Sequence, residues 1–184
     1  TNSVNTIFKK DGKIYGDNTD VYGFEKSIIN NKIDLKNKTA MVFGAGGVVP
    51  SVIIGLKKLK IDKIFLSNRT LENAKIIKKN FDFIELVEWG KIENCDMFIN
   101  STSVGLIKNE KLNLNFGSLN GKKFFYDIIY NPPKTSFLLE AENLGHKILN
   151  GRDMFLYQAQ QAFKLWHNLL PKIDNKLINF LYND

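Results

Sequence analysis

"TAMVFGAGGVVPSVIIGLKKL", residues 39–59, decides how the rest of the chain is read. An apolar run leads into a glycine cluster, and the glycines lead into a stretch with apolar residues at helical spacing. Strand, tight turn, helix is the order that places unpaired first-turn N–H groups and the positive end of a helix dipole over a phosphate. Gly44 suits the tight turn, and Gly46 leaves room for a pyrophosphate to approach the backbone, with Ala45, Gly47 and Val48 completing the loop. Pro50 is tolerated only in the first turn of the helix, where its missing N–H is not needed. The spacing departs from G-x-G-x-x-G, because the third glycine falls at Val49 and an extra one stands at Gly47. In this setting the stretch reads as a dinucleotide-binding turn, against the plainer reading of a structural loop.

Downstream the rhythm repeats. "KIFLSNRT" (63–70) reads as a strand, "LENAKIIKKN" (71–80) as a helix and "FIELVEW" (83–89) as a third strand. "CDMFINSTS" (95–103) and, after a loop, "KFFYDIIYNPP" (123–133) read as two more strands. "SFLLEAENLG" (136–145) makes a helix closed by Gly145, and "HKILNG" (146–151) a short sixth strand. Continuously apolar strands alternating with helices predict a parallel sheet covered on both faces. The fold class expected is therefore α/β, a doubly wound Rossmann-like sheet with helices on both faces. Upstream, residues 3–15 read as two short strands around "KKDGK", whose Asp11-Gly12 is a hairpin signal, and a helix follows over about 20–31. From residue 152 the chain reads as helical, with Pro171 separating two helices. Residues 1–20 are assigned to a hairpin remnant of another domain, and 21–184 to the nucleotide-binding domain with its C-terminal helices.

The 184 residues suit one domain with an appendage. No apolar run approaches the roughly 20 residues that span a bilayer, and no signal-peptide pattern is present. The single cysteine, Cys95, fits a reducing compartment, so a soluble cytoplasmic protein with no membrane partner is expected. The net charge of +7 comes from lysines scattered along expected helix surfaces. It argues for a solvated basic surface that attracts small anions, and no nucleic-acid partner is expected. The chain starts at Thr1 and its first methionine is Met41, so a fragment of a longer or processed chain is expected.

The end of the second strand selects the nucleotide. An NAD site places an acidic residue there to accept from the ribose hydroxyls. Here stand Asn68, Arg69 and Thr70. A guanidinium attracts a 2′-phosphate and stacks on adenine, so NADP is the expected cofactor.

"GDNTDVYGF", residues 16–24, packs polar side chains ahead of an apolar run. Its plain reading is a helix cap, since Asn, Thr and Asp accept from free first-turn N–H groups. The alternative is that Asp20 does chemistry. The chain resembles the shikimate dehydrogenase family over residues 3 to about 167. "SVNT", "GDNTDVYGF", "GAGG", "NRT", "NSTSVG", "YDIIYNP" with "KTSFLLEAENLG", and "GRDMFLYQAQQAFKLW" occur in the family's order. The resemblance implies reversible hydride transfer between NADPH and 3-dehydroshikimate, giving shikimate, in aromatic amino-acid biosynthesis. It implies that Asp20 pairs with a lysine of the N-terminal domain beside the substrate, and that Asn5, Tyr130 and Gln158 bind substrate. It implies that Ser101, Thr102 and Ser103, in the loop closing at Gly105, pass the nicotinamide, and that Ile128, Gly151 and Met154 contact or position that ring. Asp20 is then both cap and catalytic partner, kept charged by the helix dipole.

Three departures qualify this picture. The family's serine pair and catalytic lysine have no match here, since Lys9, Lys10 and Lys13 follow the "VNT" motif. A chain of these residues alone is expected to bind nucleotide with little or no turnover. Asn73 stands where relatives carry a second basic residue, with Lys75 as partial compensation, and Pro50 cannot donate to phosphate. A non-catalytic NADP-binding module and a quinate/shikimate dehydrogenase are the competing readings. Retention of Asn5, Asp20, Tyr130 and Gln158 favours an enzyme over a sensor. His146 precedes a strand and His167 stands at a helix end, neither with metal-like spacing around it; Trp89 and Trp166 read as packing residues and Cys95 as a core thiol, and no metal site is expected. Apolar surface around the hairpin and C-terminal helices leaves a homodimer open.

Overall fold

The structure, a computed structural model, describes residues 1–182. In chain order, β1 (Thr6–Lys10) and β2 (Lys13–Asp17) form an antiparallel hairpin, followed by α1 (Asp20–Asn30). Then come β3 (Thr39–Phe43), α2 (Val49–Lys58), β4 (Lys63–Ser67), α3 (Leu71–Asn80) and β5 (Ile84–Val87). They are followed by β6 (Met97–Asn100), β7 (Phe124–Asp127), α4 (Ser136–Asn143), β8 (Lys147–Leu149), α5 (Arg152–His167) and α6 (Asn175–Tyr182). The sheet order is β5-β4-β3-β6-β7-β8, and its ladders are parallel. The doubly wound sheet expected from the sequence is present, with the hairpin as a separate two-stranded piece.

Side-chain alternation along β3 shows why a continuously apolar strand is needed. Ala40 and Val42 face a core shared with α1, α2, α3 and α5; Met41 and Phe43 face the opposite core under α4. That second face has fewer helices, and aromatic side chains fill it. Phe43, Phe98, Phe116, Phe125 and Phe137 pack with ring centroids 5.0–6.4 Å apart, and the Leu112–Phe116 segment lies over the sheet where a helix would otherwise be. Their edge-to-face and offset contacts are the geometries aromatic quadrupoles favour.

On the first face α1 is wedged between α2 and α5 by two glycines. A Cβ on Gly23 would stand 2.5 Å from the Met154 carbonyl oxygen of α5, and one on Gly55 would stand 2.6 Å from the Phe24 ring. Val49, in the place of a third motif glycine, is fully buried and packs α2 onto the sheet.

The start of α1 differs from the sequence expectation. Its N-cap is Thr19, whose side chain makes no capping bond. Asn18 satisfies the first turn instead, its Oδ1 accepting from the Asp20 N–H at 3.1 Å. The reason is competition. The Thr19 hydroxyl is drawn off to Asn5 and Gln158, and Asp20, already inside the helix, is held by Asn5. Asp20 is therefore not the cap.

Candidate active site

The switch point of the sheet lies between β3 and β6, where successive crossovers leave to opposite sides. In such sheets ligands bind outside the carboxyl ends of the strands at this point. Gly44 sits there with φ +109°, and its N–H donates to the Ser67 carbonyl at 2.9 Å. A Cβ on it would stand 2.8 Å from the Ser101 carbonyl oxygen at the end of β6, so only glycine fits the turn. Ahead of it the chain opens. The N–H groups of Ala45, Gly46, Gly47 and Val48 have no acceptor among the described residues. A Cβ on Gly46 or Gly47 would meet nothing within 4 Å. A cluster of free donors over open space at the start of a helix fits an anionic ligand of pyrophosphate type. The hydroxyls of Ser67 and Ser101, flanking Gly44 on either side, are buried without a partner among the described residues.

At the end of β4, Asn68 Nδ2 donates to the Thr70 carbonyl at 2.8 Å, which fixes the loop and turns Asn68 inward to its own backbone. Arg69 is exposed and makes no hydrogen bond or ion pair among the described residues, so its guanidinium is available. Asn73 is held by its N–H to the Thr70 carbonyl, at 3.2 Å, and Lys75 is exposed on α3.

The loop after β6 is shaped by its own side chains. Thr102 Oγ1 donates to Asn100 Oδ1 at 2.7 Å and accepts from the Val104 N–H at 3.0 Å, so this hydroxyl is committed to the loop. Ser101 and Ser103 remain, the first buried and unpartnered, the second exposed. Ile128 is packed against the first core and its N–H donates to the Asn100 carbonyl at 3.1 Å. Gly151 lies hard against it, since a Cβ there would overlap the Ile128 carbonyl. Met154 is a buried core side chain.

The substrate-side residues converge at the start of α1. Asn5 Nδ2 donates to Asp20 Oδ1 at 2.9 Å, while Asn5 Oδ1 accepts from the Thr6 hydroxyl and from the N–H and hydroxyl of Thr19. Gln158 Oε1 accepts from Thr19 Oγ1 at 3.3 Å, and Gln158 Nε2 donates to the Phe155 carbonyl. Tyr130 stacks on the Phe155 ring at 4.5 Å and keeps 39% of its surface exposed. Asn5, Asp20 and Gln158 thus form one cluster, and Tyr130 joins it through Phe155. Burial raises the Asp20 carboxyl above the ordinary range, with the Asn5 hydrogen bond opposing. This reverses the expectation of a dipole-stabilised charge, because the surrounding hairpin and α5 strip water from the group.

Three features were not read from the sequence. Asn18 Oδ1 also accepts from Ser51 Oγ at 3.0 Å, which ties the "NTD" segment to the start of α2. Phe155 carries Tyr130. A buried polar hub, Asn100, Asp127 and Thr135, joins the ends of β6 and β7 to α4. Asn18, Asn100 and Asp127 stand inside quoted motifs, and polar residues closing apolar strands were the available signal.

The packing assignment is met at Trp89, edge-on to Phe43; His146 is stacked 5.1 Å from Phe125. Trp166 is half exposed and donates from Nε1 to the Ile7 carbonyl, fastening α5 to the hairpin. Cys95 is fully buried in the second core and burial pushes its thiol up to about 11. A cleft of about 800 Å³ between the hairpin and α5, lined by Phe8, Tyr15 and Trp166, contains none of the expected site residues. Among the described residues no helix is long and apolar enough to cross a membrane.

The sequence profile described as shikimate / quinate 5-dehydrogenase matches residues 26–134. The shikimate dehydrogenase (NADP(+)) of Pelagibacter ubique is 51% identical over 179 residues, covering 97% of this chain and 68% of that protein. The Thermus thermophilus shikimate 5-dehydrogenase solved with NADP(H) and shikimate superposes with TM-score 0.82 at 32% identity, over 92% of this chain and 64% of that one. The Listeria monocytogenes enzyme solved with shikimate and NAD gives TM-score 0.87 at 26% identity, over 98% and 68%. The chain therefore spans about two thirds of the length of each. With motifs in order, the same sheet and this extent of identity, the chain belongs to the shikimate/quinate 5-dehydrogenase family.

Proposed function

We propose that this chain is the cofactor-binding part of an NADP-dependent dehydrogenase that interconverts 3-dehydroshikimate and shikimate. The observation that carries the reading is the set of four unpartnered N–H groups over open space, with an unpaired Arg69 at the end of the neighbouring strand. The N–H groups of Ala45 to Val48 hold a pyrophosphate, and Arg69 neutralises a 2′-phosphate. Ser101, Ser103, Ile128 and Gly151 bound the place of the nicotinamide, and Met154 supports it from the core. NADPH supplies hydride to the carbonyl carbon when bound, and a proton to the oxygen completes the alcohol.

Asn5, Tyr130 and Gln158 face the substrate hydroxyls with the donors their internal bonds leave free. Asp20, partly desolvated, orients and stabilises a cationic proton donor beside the reacting oxygen. It makes no ion pair with Lys9, Lys10, Lys13 or any other described residue, so that cation is expected from outside residues 1–182. The hairpin of residues 1–20 belongs with that substrate side. We read the location as cytoplasmic, a reading supported by the lone buried thiol. Exposed Ile7, Ile14, Phe180 and Leu181 support self-association into a homodimer, read by light scattering.

The test is loss of NADPH absorbance with 3-dehydroshikimate, using the longest natural protein that contains these residues. Turnover that Asp20→Ala abolishes while NADP+ binding survives is expected. Turnover unaffected by Asp20→Ala, or activity with quinate and none with shikimate, overturns the assignment.

A further inference from the structure

Among the buried ionisable groups that this chemistry does not use, Asp127 stands apart. It is fully buried at the carboxyl end of β7, and three donors converge on it. Thr135 Oγ1 donates to Oδ2 at 2.6 Å, Asn100 Nδ2 to the same oxygen at 3.0 Å, and the Ile129 N–H to Oδ1 at 3.0 Å. No charged side chain contributes to its environment; burial alone pushes the carboxyl up to about 6, with the three donors opposing. A buried carboxyl with no ion-pair partner among the described residues is costly, and apolar side chains would join the two strands at less cost.

What the carboxylate adds is direction. Asn100 is gripped at both ends of its amide: Nδ2 also donates to the Val104 carbonyl at 3.0 Å, and Oδ1 accepts from the Thr102 N–H and hydroxyl. Fixing Asn100 fixes the Ser101–Gly105 loop. That loop closes at Gly105, whose φ of +113° and 3.0 Å approach of a built Cβ to Thr135 leave no room for a side chain. The second oxygen fixes Ile129, whose carbonyl accepts from the Gly151 N–H at 3.0 Å. Ser101, Ile128 and Gly151 therefore each lie within a bond or two of this one carboxylate.

We propose that Asp127 is a positioning residue for the nicotinamide half of the cofactor, clamping the loop after β6, the segment after β7 and the start of α4 into one geometry. This rests on the cofactor reading above. The adenine half is bound elsewhere, by the glycine turn and Arg69, so the two halves report separately.

The experiment is calorimetric titration of the full chain and its Asp127→Asn variant with NADP+ and with 2′,5′-ADP. Asparagine keeps the shape and the Ile129 contact but sets its amide against the Asn100 donor, which cannot reverse. NADP+ affinity is expected to fall about tenfold, the loss of one charge-assisted bond's worth of ordering, with 2′,5′-ADP affinity unchanged. Equal losses for both ligands make Asp127 merely structural and overturn the inference. So does no loss for either, or NADP+ binding no tighter than 2′,5′-ADP in the parent chain. Failure of the parent to bind 2′,5′-ADP at all overturns the cofactor reading itself, and this inference with it.

Discussion

Gly46→Ala separates the cofactor turn from the fold. The added methyl meets no protein atom within 4 Å, and the backbone at Gly46 is outside the left-handed region, so alanine fits without strain. Loss of unfolded-state freedom then raises stability by about 0.4–1 kcal/mol. In a domain of this size that lifts the melting temperature by roughly 1–4 °C. The same methyl takes up part of the open space at a loop whose Gly47 and Val48 N–H groups are unpartnered among the described residues. A phosphate kept off by it forfeits one or two hydrogen bonds to a charged oxygen, about 1.5–3 kcal/mol each. One lost bond weakens NADP+ by about 10- to 150-fold. Gly44→Ala is the contrast. Its Cβ, 2.8 Å from the Ser101 carbonyl oxygen at a φ of +109°, lowers stability and binding together. Calorimetric titration with NADP+ and thermal melting of both variants decide the matter. A Gly46→Ala chain that melts no lower and binds NADP+ as tightly as the parent refutes a pyrophosphate on this turn.

Arg69→Ala removes the exposed guanidinium and is expected to weaken NADP+ by about 10- to 100-fold while sparing NAD+, read by titration with both nucleotides. The Asp127 carboxyl, raised to about 6, binds its proton more tightly folded than unfolded. Its contribution is fully present below about pH 4 and is lost as pH rises through about 6, a swing of roughly 3 kcal/mol. Asp127→Asn removes that part of the slope, measured by urea unfolding across the range. Gly23→Ala drives a methyl to 2.5 Å from the Met154 carbonyl oxygen and is expected to destabilise the α1–α5 contact by about 1–3 kcal/mol in the same assay. Cys95, with its thiol at about 11 in the second core, resists alkylation in the native chain and reacts only on unfolding.

The strands and helices were legible because each apolar run had a period and an end marker. Gly44, Pro50 and Gly145 punctuate the sequence where the backbone turns. Arg69 was legible from its place one strand beyond the glycine turn. The hub at Asp127 was not, because its partners Asn100 and Thr135 lie 27 and 8 residues away and meet only once adjacent strands are aligned. Asp20 shows the other limit. Its helix position argued for a stabilised charge, yet the hairpin and α5 that bury it come from opposite ends of the chain. Asn18 took over the capping role for a similar reason: Thr19 found better partners at a distance than in its own turn.

The bond from Ser51 to Asn18 bears on how this protein is cut for grafting. Asn18 Nδ2 also reaches the Ser3 carbonyl and hydroxyl, so one amide staples hairpin, α1 and α2. A chimera joined between residues 20 and 21 takes the staple from one parent and its anchor from the other. Exchanging cofactor preference by domain transplantation therefore calls for a splice ahead of Ser3, or for carrying Asn18 and Ser51 as an inseparable pair.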